Sequence, residues 1–386
     1  MDAIATQIHA LTQTADAAGR LALQKALRQM QAELQSPMDF LINIANSMPL
    51  LASLRLGADL GLFRTLAQRN DSLSVAQLAE STGASPQLLE RLLRYYSSNN
   101  IIKEVGVNEY KATSLSHVLA DPKGEATVYV GFDTHAPAFQ AMPDFFADNK
   151  YQEIASTTRT PFQKAFKTDL GCFDWLVQHP KHFEPLQKVM TAFAGSEWAD
   201  GFALLDNEVK AVPFTPPDPK EKPFFVDVGG GHGHQCIQLG KKYPHLLGRL
   251  VLQDLPEAVN KLPDIPGVRA DAYNFFDKQP ITGARFYYLR RILHDWPDDE
   301  CVQILYNIAS AMAVDSRILI DEVVLPNKEA PWQATMADLA MMVSFGGKER
   351  TQQQWQMLAG EVGLRIEQIH TYTASTCTSV VVMALK

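Results

Sequence analysis

Two short segments of this sequence carry residue types that could do chemistry together. The first is an apolar strand, Phe225–Val228, that runs into the glycine triplet Gly229-Gly230-Gly231. Glycine lets a backbone approach a ligand closely, so this turn predicts a ligand cradle. The second segment places His294, a candidate base, after another apolar run. A cradle and a base together predict an enzyme rather than a binding module.

The glycine turn differs from the two common nucleotide-binding loops. A dinucleotide loop reads G-x-G-x-x-G, but Cys236 stands where the third glycine would follow Gly231, and no G-K-[ST] motif is present. Asp227 could pair with a ligand ammonium group, and Asp254 ends the next strand, where a carboxylate can accept both hydroxyls of a ribose. The pattern favours an adenosine with an amino-acid tail. A glycine turn without a ligand is the alternative.

Length, charge and composition limit the class of protein. A chain of 386 residues can form two domains with sizeable cores. The formal charge of −8 disfavours a general binder of nucleic acid. The four cysteines fit no metal-ligand spacing, and His232 and His234 are interpreted as loop and helix-start residues, so we expect no metal site. No apolar run is long enough to span a membrane, and the sequence predicts a cytoplasmic protein.

A sheet is needed to bring these residues together, and the C-terminal half of the sequence has the alternating strand and helix pattern that predicts a sheet. Strands are predicted at 224–228, 249–253, 286–291, 316–323 and as a closing pair within 364–385, with helical segments at 233–242, 298–312 and 350–362 between them. This alternation predicts a doubly wound α/β sheet, and the tight turn before residue 379 predicts an antiparallel last strand. The proline-rich stretch 207–223 marks the preceding domain boundary.

The N-terminal third has the pattern of helices followed by a hairpin. Residues 1–35 predict one amphipathic helix, which packs on a partner subunit or on its own chain. Ser74 to Gln77 has the spacing of a capping box, Ser85-Pro86 starts a second helix, and a hairpin follows near 101–112. This outline is a winged helix. Its few cations suit dimerisation better than binding of DNA.

Five motifs in order resemble the plant and fungal class of S-adenosylmethionine-dependent small-molecule O-methyltransferases. They are VDVGGGHG at 226–233, QDLPEAV at 253–259, LHDWPDDE at 293–300, DEVVLP at 321–326 and GGKERT at 346–351. The resemblance implies a Rossmann-like methyltransferase sheet with S-adenosyl-L-methionine as cofactor. It also implies a homodimer built through the N-terminal domain. We therefore predict a winged-helix-like dimerisation domain at 1–120, a helical substrate-pocket region at 121–206 and the cofactor-binding domain at 207–386.

The resemblance implies roles for nine residues at the cofactor. Gly229, Gly230 and Gly231 would let the backbone approach the methionine moiety, and Arg290 would lie near the methionine carboxylate. The remaining positions, at the ammonium group, the ribose and the adenine, are Asp227, Asp254, Leu255, Asn274 and Phe275. Asn274 and Arg290 depart from the family's commoner acidic residue and lysine, but an amide still bonds an adenine amine and arginine still holds a carboxylate.

The same resemblance implies that His294 is the general base and that Glu322 and Glu349 flank its imidazole. A phenol has a pKa near 10, so at neutral pH it needs a base to take its proton as the new bond forms. Taken singly, a histidine near a strand end is more often structural. Asp295 is interpreted as a helix N-cap or an anchor for the histidine, with the cap favoured.

Aromatic and methionine-bearing helices around 125–205 indicate an apolar substrate pocket. By family position, and in competition with an ordinary core role, the pocket candidates are His135, Phe173, Met190, Phe193, Asp338, Met341 and Met342. We expect methylation of a phenolic or enolic secondary metabolite, such as a polyketide or alkaloid. The alternatives are an S-adenosylmethionine-binding cyclase, pericyclase or dehydratase, for which His135 and the pair Arg290-Arg291 would polarise a carbonyl, and a non-enzymatic DNA-binding regulator.

Overall fold

The computed structural model describes residues 2–192, 195, 197–216, 218 and 221–386. Contacts divide the chain into two compact units. One comprises Lys25–Met142 and Ala165–Phe193, and the other comprises Met1–Gln24, Pro143–Lys164 and Ala194–Lys386. The boundaries predicted at residues 120 and 206 stay predictions.

Helices dominate the chain up to residue 148. They are α1 (Asp2–Thr14), α2 (Ala17–Leu34), α3 (Pro37–Asp59), α4 (Leu62–Ala67), α5 (Val75–Thr82), α6 (Pro86–Ser98), α7 (Ser114–Ala120), α8 (Pro122–Tyr129) and α9 (Ala136–Asp148). The prediction of one helix over 1–35 was wrong, because the chain forms α1 and α2 instead. Asp16 accepts a hydrogen bond from the Gly19 amide at 2.8 Å and so caps a new helix.

A small antiparallel sheet completes the predicted winged helix. Its strands are β1 (Leu73–Ser74), β2 (Ile102–Gly106) and β3 (Glu109–Ala112), in the order β1-β3-β2. Ser74 and Gln77 form the predicted capping box of α5, and the Ser85 hydroxyl caps α6. Leu78, Leu89 and Tyr110 are buried together between these elements.

Four further helices occupy the middle of the chain, namely α10 (Pro161–Phe166), α11 (Cys172–Val177), α12 (Pro180–Ala192) and α13 (Ala203–Ala211). Val130–His135 forms a π-helical turn between α8 and α9. Such turns are rare and frequently lie at functional sites.

The C-terminal part forms the predicted doubly wound sheet. Its strands are β4 (Phe225–Val228), β5 (Leu250–Asp254), β6 (Val268–Ala272), β7 (Phe286–Arg290), β8 (Arg317–Leu325), β9 (Arg350–Thr351), β10 (Leu364–Thr373) and β11 (Thr378–Leu385). The order is β10-β11-β8-β7-β4-β5-β6, with β9 beside β8. β11 is antiparallel to both of its neighbours, β10 and β8, as predicted. The remaining strand pairs of this sheet are parallel.

Helices cover both faces of this sheet and bury two apolar cores. The helices of this part are α14 (His234–Lys242), α15 (Pro256–Val259), α16 (Asp298–Ala309), α17 (Trp332–Phe345) and α18 (Gln352–Glu361). α16 and α18 pack on one core, whereas α13 and α14 pack on the other. The strand order reverses at β4, which pairs with both β5 and β7. In open α/β sheets, ligands bind at the carboxyl ends of the strands beside such a switch point.

Candidate active site

The glycine loop lies at this switch point. The amides of Gly229 and Gly230 donate to the Gln253 carbonyl at 2.8 and 3.1 Å, which ties the loop to the end of β5. Gly231 has a φ of +55°, and a Cβ built on it would meet no protein atom within 4 Å. The backbone therefore favours glycine here, and the space beside it is open to a ligand.

Two carboxylates face this loop. Asp254 accepts hydrogen bonds from the amides of Gly231 at 2.8 Å and of Leu255 at 2.7 Å. Asp227 is buried, and burial raises its pKa to about 7, an effect that Asp254 increases and Arg290 opposes. A buried acid with a raised pKa is stabilised as an anion by a cation, so an ammonium group fits beside Asp227.

Arg290, at the end of β7, belongs to a buried polar cluster. Its Nη1 lies 3.5 Å from Asp321 Oδ2 and donates to the Gly195 carbonyl at 2.8 Å. Asp321 also accepts from the hydroxyls of Tyr288 and Tyr372, at 2.5 and 2.7 Å. A guanidinium held in this way is a fixed positive charge at the carboxyl end of β7.

Asn274 and Phe275 follow β6 at the same edge of the sheet. Asn274 is exposed, and its Oδ1 accepts a hydrogen bond from the Phe276 amide at 3.0 Å. The Phe275 and Trp296 rings are edge to face, with centroids 5.9 Å apart. Trp296 was not among the predicted site residues, although it stands in the same motif as His294, and it adds to the aromatic surface beside Asn274.

His294 lies in a 3-10 turn, Leu293–Asp295, directly after β7, and it is buried. Its Nδ1 is 2.9 Å from Glu349 Oε1. A carboxylate accepts only, so Nδ1 carries a proton and Nε2 is the ring atom left to act as a base. Nε2 lies 3.6 Å from Asp295 Oδ1.

Glu322 is placed differently from the expectation that it flanks the imidazole. Its Oε1 accepts hydrogen bonds from the amides of Ile292, Leu293 and His294, at 3.2, 2.7 and 3.2 Å. Glu322 thus holds the backbone of the turn, whereas Glu349 holds the ring. The preferred interpretation of Asp295 as a helix cap was wrong, because Pro297 precedes α16 and Asp295 lies beside the imidazole.

The acids around His294 set its protonation. Burial alone lowers the pKa of an imidazole, but Asp295, Glu349 and Glu322 outweigh burial and raise the pKa of His294 to about 9. Burial in turn raises the pKa of Asp295 to about 7, against the opposing effect of His294. The turn therefore holds a strongly basic imidazole among acids.

The predicted substrate residues divide between the two units. His135, half-buried, and Phe173 and Met190, exposed, lie in the unit with the winged helix, and burial lowers the pKa of His135. Asp338, Met341 and Met342 lie on α17 in the other unit, where Asp338 accepts from the Glu349 amide at 2.8 Å. Phe193 lies outside the described residues.

The described part of the chain contains no group of three His, Cys, Asp or Glu side chains that could hold a metal ion. Within the same residues, no helix combines the length and the apolar character needed to cross a membrane.

Comparison with known proteins identifies both domains. Residues 219–365 match the model of the O-methyltransferase domain, and residues 42–122 match that of the O-methyltransferase dimerisation domain. The demethylsterigmatocystin 6-O-methyltransferase of Aspergillus parasiticus is 40% identical over 92% of this chain and 91% of its own length. The O-methyltransferase lepI of Aspergillus flavus is 38% identical over 100% of this chain and 99% of its own.

Solved structures agree in fold. The structure of LepI in complex with S-adenosylmethionine matches with a TM-score of 0.89 and 37% identity, covering 100% of this chain and 98% of that one. A structure described as a pericyclic reaction enzyme matches equally well, with a TM-score of 0.89 and 37% identity over 100% of this chain and 99% of the other. With its glycine loop, its two domains and these relatives, the chain belongs to the O-methyltransferase family and is an S-adenosylmethionine-dependent enzyme.

Proposed function

We propose that this enzyme methylates a hydroxyl oxygen of a phenolic or enolic secondary metabolite, with His294 as general base. The observation that carries the proposal is the imidazole itself. Its Nδ1 is held by Glu349 at 2.9 Å, in a turn that follows β7 at the carboxyl edge of the sheet. The name of the 40% identical relative, a demethylsterigmatocystin 6-O-methyltransferase, supports methyl transfer to an oxygen.

The described residues fit the cofactor. Asp227 would pair with its ammonium group, Asp254 would accept the ribose hydroxyls, and Arg290 would lie near its carboxylate, with the glycine loop against the methionine chain and Leu255, Asn274 and Phe275 at the adenine. When bound, S-adenosylmethionine supplies an electrophilic methyl group on sulfur. In this structure the Asp254 oxygens accept hydrogen bonds from the amides of Gly231 and Leu255. The ribose hydroxyls would either replace these two hydrogen bonds or share the same oxygens with them.

In the proposed reaction, His294 removes one proton from the substrate hydroxyl. Nε2 accepts the substrate O–H proton while the Nδ1 proton stays on the hydrogen bond to Glu349. A base with a pKa of about 9 is well matched to a phenol whose pKa is near 10, because proton transfer between them is nearly balanced in energy. The acids that raise the pKa of His294 thereby make it a stronger acceptor for this proton.

Labelled cofactor tests the proposal directly. The enzyme is incubated with methyl-labelled S-adenosylmethionine and a panel of phenolic polyketides and alkaloids, and mass spectrometry follows product and S-adenosylhomocysteine. We expect label on a product oxygen, and a loss of about a hundred- to ten-thousandfold in kcat for His294→Ala. His117→Ala changes an exposed histidine of the winged-helix domain and serves as the matched control. Full activity of His294→Ala would contradict the role of the base.

One observation favours a second function. The 37% identical structure described as a pericyclic reaction enzyme shares this fold over the whole chain, so the same architecture hosts chemistry other than methyl transfer. Burial lowers the pKa of His135, which keeps its imidazole neutral and able to donate to a substrate carbonyl. Consumption of substrate without label or S-adenosylhomocysteine, and its loss in His135→Ala, would establish this alternative.

We further propose that the enzyme works as a homodimer. Large apolar side chains of α3 are exposed in the single chain, among them Phe40, Leu41 and Ile44 at 54, 58 and 57%. Met30 and Leu34 of α2 are exposed as well. Monomeric proteins rarely expose large apolar patches to water, and the match to the dimerisation domain begins in this helix.

A further inference from the structure

The backbone of the turn 292–296, which carries His294, is held from two sides. On its amide side, Glu322 Oε1 accepts from three consecutive N–H groups, with Leu293 the shortest at 2.7 Å. On its carbonyl side, a buried arginine, Arg350, donates from Nη1 to the Leu293 carbonyl and from Nη2 to the Trp296 carbonyl, both at 2.9 Å. The two carbonyls that Arg350 binds bracket His294 and Asp295.

Arg350 is itself fixed at its other edge. Its Nε and Nη2 donate to Asp298 Oδ1 at 2.9 and 2.8 Å, and Nη2 also lies 3.2 Å from Cys301 Sγ. Asp298 opens helix α16, and Lys348 pairs with its second oxygen at 2.8 Å. The guanidinium is completely buried, and its planar fork allows all these bonds in one orientation only. The turn is therefore linked rigidly to the start of α16.

The segment that carries Arg350 also touches the turn directly. A Cβ built on Gly347 would lie 1.9 Å from the His294 carbonyl oxygen, so any side chain at this position must displace the turn. Two residues further on, Glu349 reaches the His294 ring, and the next residue, Arg350, reaches the turn's backbone. One short segment, 347–350, thus sets both the ring and the backbone of the histidine.

We propose that Arg350 is a positioning residue that fixes the turn 292–296 so that the His294 ring stays within hydrogen-bond reach of Glu349. The inference rests on the proposed role of His294 as base. Arg350 touches neither ring nitrogen, and it acts through the Leu293 and Trp296 carbonyls. The charged groups that face the imidazole are Asp295, Glu349 and Glu322, with Arg291 3.6 Å from Glu349, and a shift of the turn changes the distance to each of them.

Arg350→Lys and Arg350→Met separate geometry from charge. Lysine keeps the charge but loses the fork, whereas methionine loses both. If Arg350 fixes geometry, both variants move the ring away from Glu349, and the pKa of His294 falls toward the value of an unperturbed histidine, near 6.5. If Arg350 acts only as a nearby charge, the pKa of His294 stays unchanged in Arg350→Lys and rises in Arg350→Met, and that result would overturn the proposal.

The pKa of His294 is measured by NMR in enzyme labelled with 13C in its histidine rings, with the resonance assigned by His294→Gln. We expect kcat to fall about ten- to a hundredfold in Arg350→Met and less in Arg350→Lys. The Kd for S-adenosylmethionine should change much less than kcat, because none of the nine cofactor candidates lies within the turn 292–296. Full activity of His294→Ala would contradict only the proposed role of His294 as base. The pKa of His294 measured by NMR would still test the role of Arg350.

The chain offers a matched control in Arg249. This buried arginine also binds two carbonyls, of Thr215 and His245, and a carboxylate, Glu221, but it lies before β5, at the opposite end of the sheet. Arg249→Met should lower Tm without moving the pKa of His294 or kcat. Equal effects of Arg249→Met and Arg350→Met on both readouts would reduce Arg350 to a structural residue.

A second variant covers the case in which Arg350→Met does not fold. Gly347→Ala places a methyl group against the His294 carbonyl and must displace the turn, with no change of charge. We expect the pKa of His294 and kcat to fall as in Arg350→Lys. Gly360→Ala, whose Cβ meets no atom closer than 3.9 Å, is its control. If the pKa of His294 stays unchanged in Gly347→Ala, the position of the turn does not control His294 and the proposal is wrong.

Discussion

The imidazole of His294 lies among three acids and is more basic than a free histidine. This raised pKa affects stability and activity in opposite directions. A histidine whose pKa is raised on folding, from near 6.5 to about 9, stabilises the folded state fully below the unfolded value. That contribution is lost as the pH rises through about 9. The unprotonated base, in contrast, becomes the major form only above that pH.

We therefore predict that kcat/KM for a phenolic substrate rises with pH and levels off above about 9, because kcat/KM reports the free enzyme. A pH profile between about 6 and 10 measures this. Two substrates whose phenol pKa values differ are the control, since a midpoint that belongs to His294 stays the same for both. Glu349→Gln removes an acid beside the ring and should move the midpoint to lower pH. A flat profile would contradict the assignment.

At the scale of elements, the site is made where strands end and loops begin. β8 places Asp321 and Glu322 on opposite faces of the sheet, because successive side chains of a strand alternate. Asp321 thus anchors Arg290, one of the cofactor candidates, and Glu322 anchors the turn that carries His294. One strand therefore supports both halves of the proposed site.

The glycine loop gives a prediction at this scale. Gly231→Ala introduces a side chain at positive φ, which costs about 1–2 kcal/mol, and its methyl group projects into open space beside Asp254. If a ligand occupies that space, the Kd for S-adenosylhomocysteine should weaken about tenfold or more, as measured by calorimetry.

Gly363→Ala separates strain from ligand contact. Gly363 has a φ of +73° and no atom within 4 Å of its built Cβ, and it lies in the turn before β10. Both variants should lower Tm by similar amounts, but only Gly231→Ala should weaken binding. Equal binding by the two variants would show that no ligand contacts Gly231.

At the scale of the whole molecule, the exposed apolar face of α3 predicts an interface between two copies of the chain. Phe40→Asp combined with Ile44→Asp places two charges one helical turn apart on that face. We expect sedimentation to give the mass of a dimer for the wild type and of a monomer for this variant. Val107→Asp, at the exposed hairpin tip, is the control and should remain dimeric. A monomeric wild type would contradict the interface.

Local signals in the sequence were enough for several elements. The capping box at Ser74 and the Ser85-Pro86 start are determined within four residues, and both helices form as predicted. β6 was missed because Val268–Ala272 lies at the edge of the sheet and has no buried residue, so its sequence lacks the apolar run of a central strand. The break between α1 and α2 was missed because α1 ends at Thr14 and Asp16 caps α2, with no glycine or proline between the two helices.

The sequence by itself determined the family, the α/β sheet with its antiparallel last strand, and the cofactor, because these depend on motifs and periodicities that are local in the chain. Only the tertiary structure decided what each acid near His294 holds. Glu322 and Glu349 lie 28 and 55 residues beyond His294, and the spacing alone does not tell a carboxylate that binds a ring from one that binds three backbone amides. The role of Arg350 likewise depends on two carbonyls, which every residue possesses and no motif can mark.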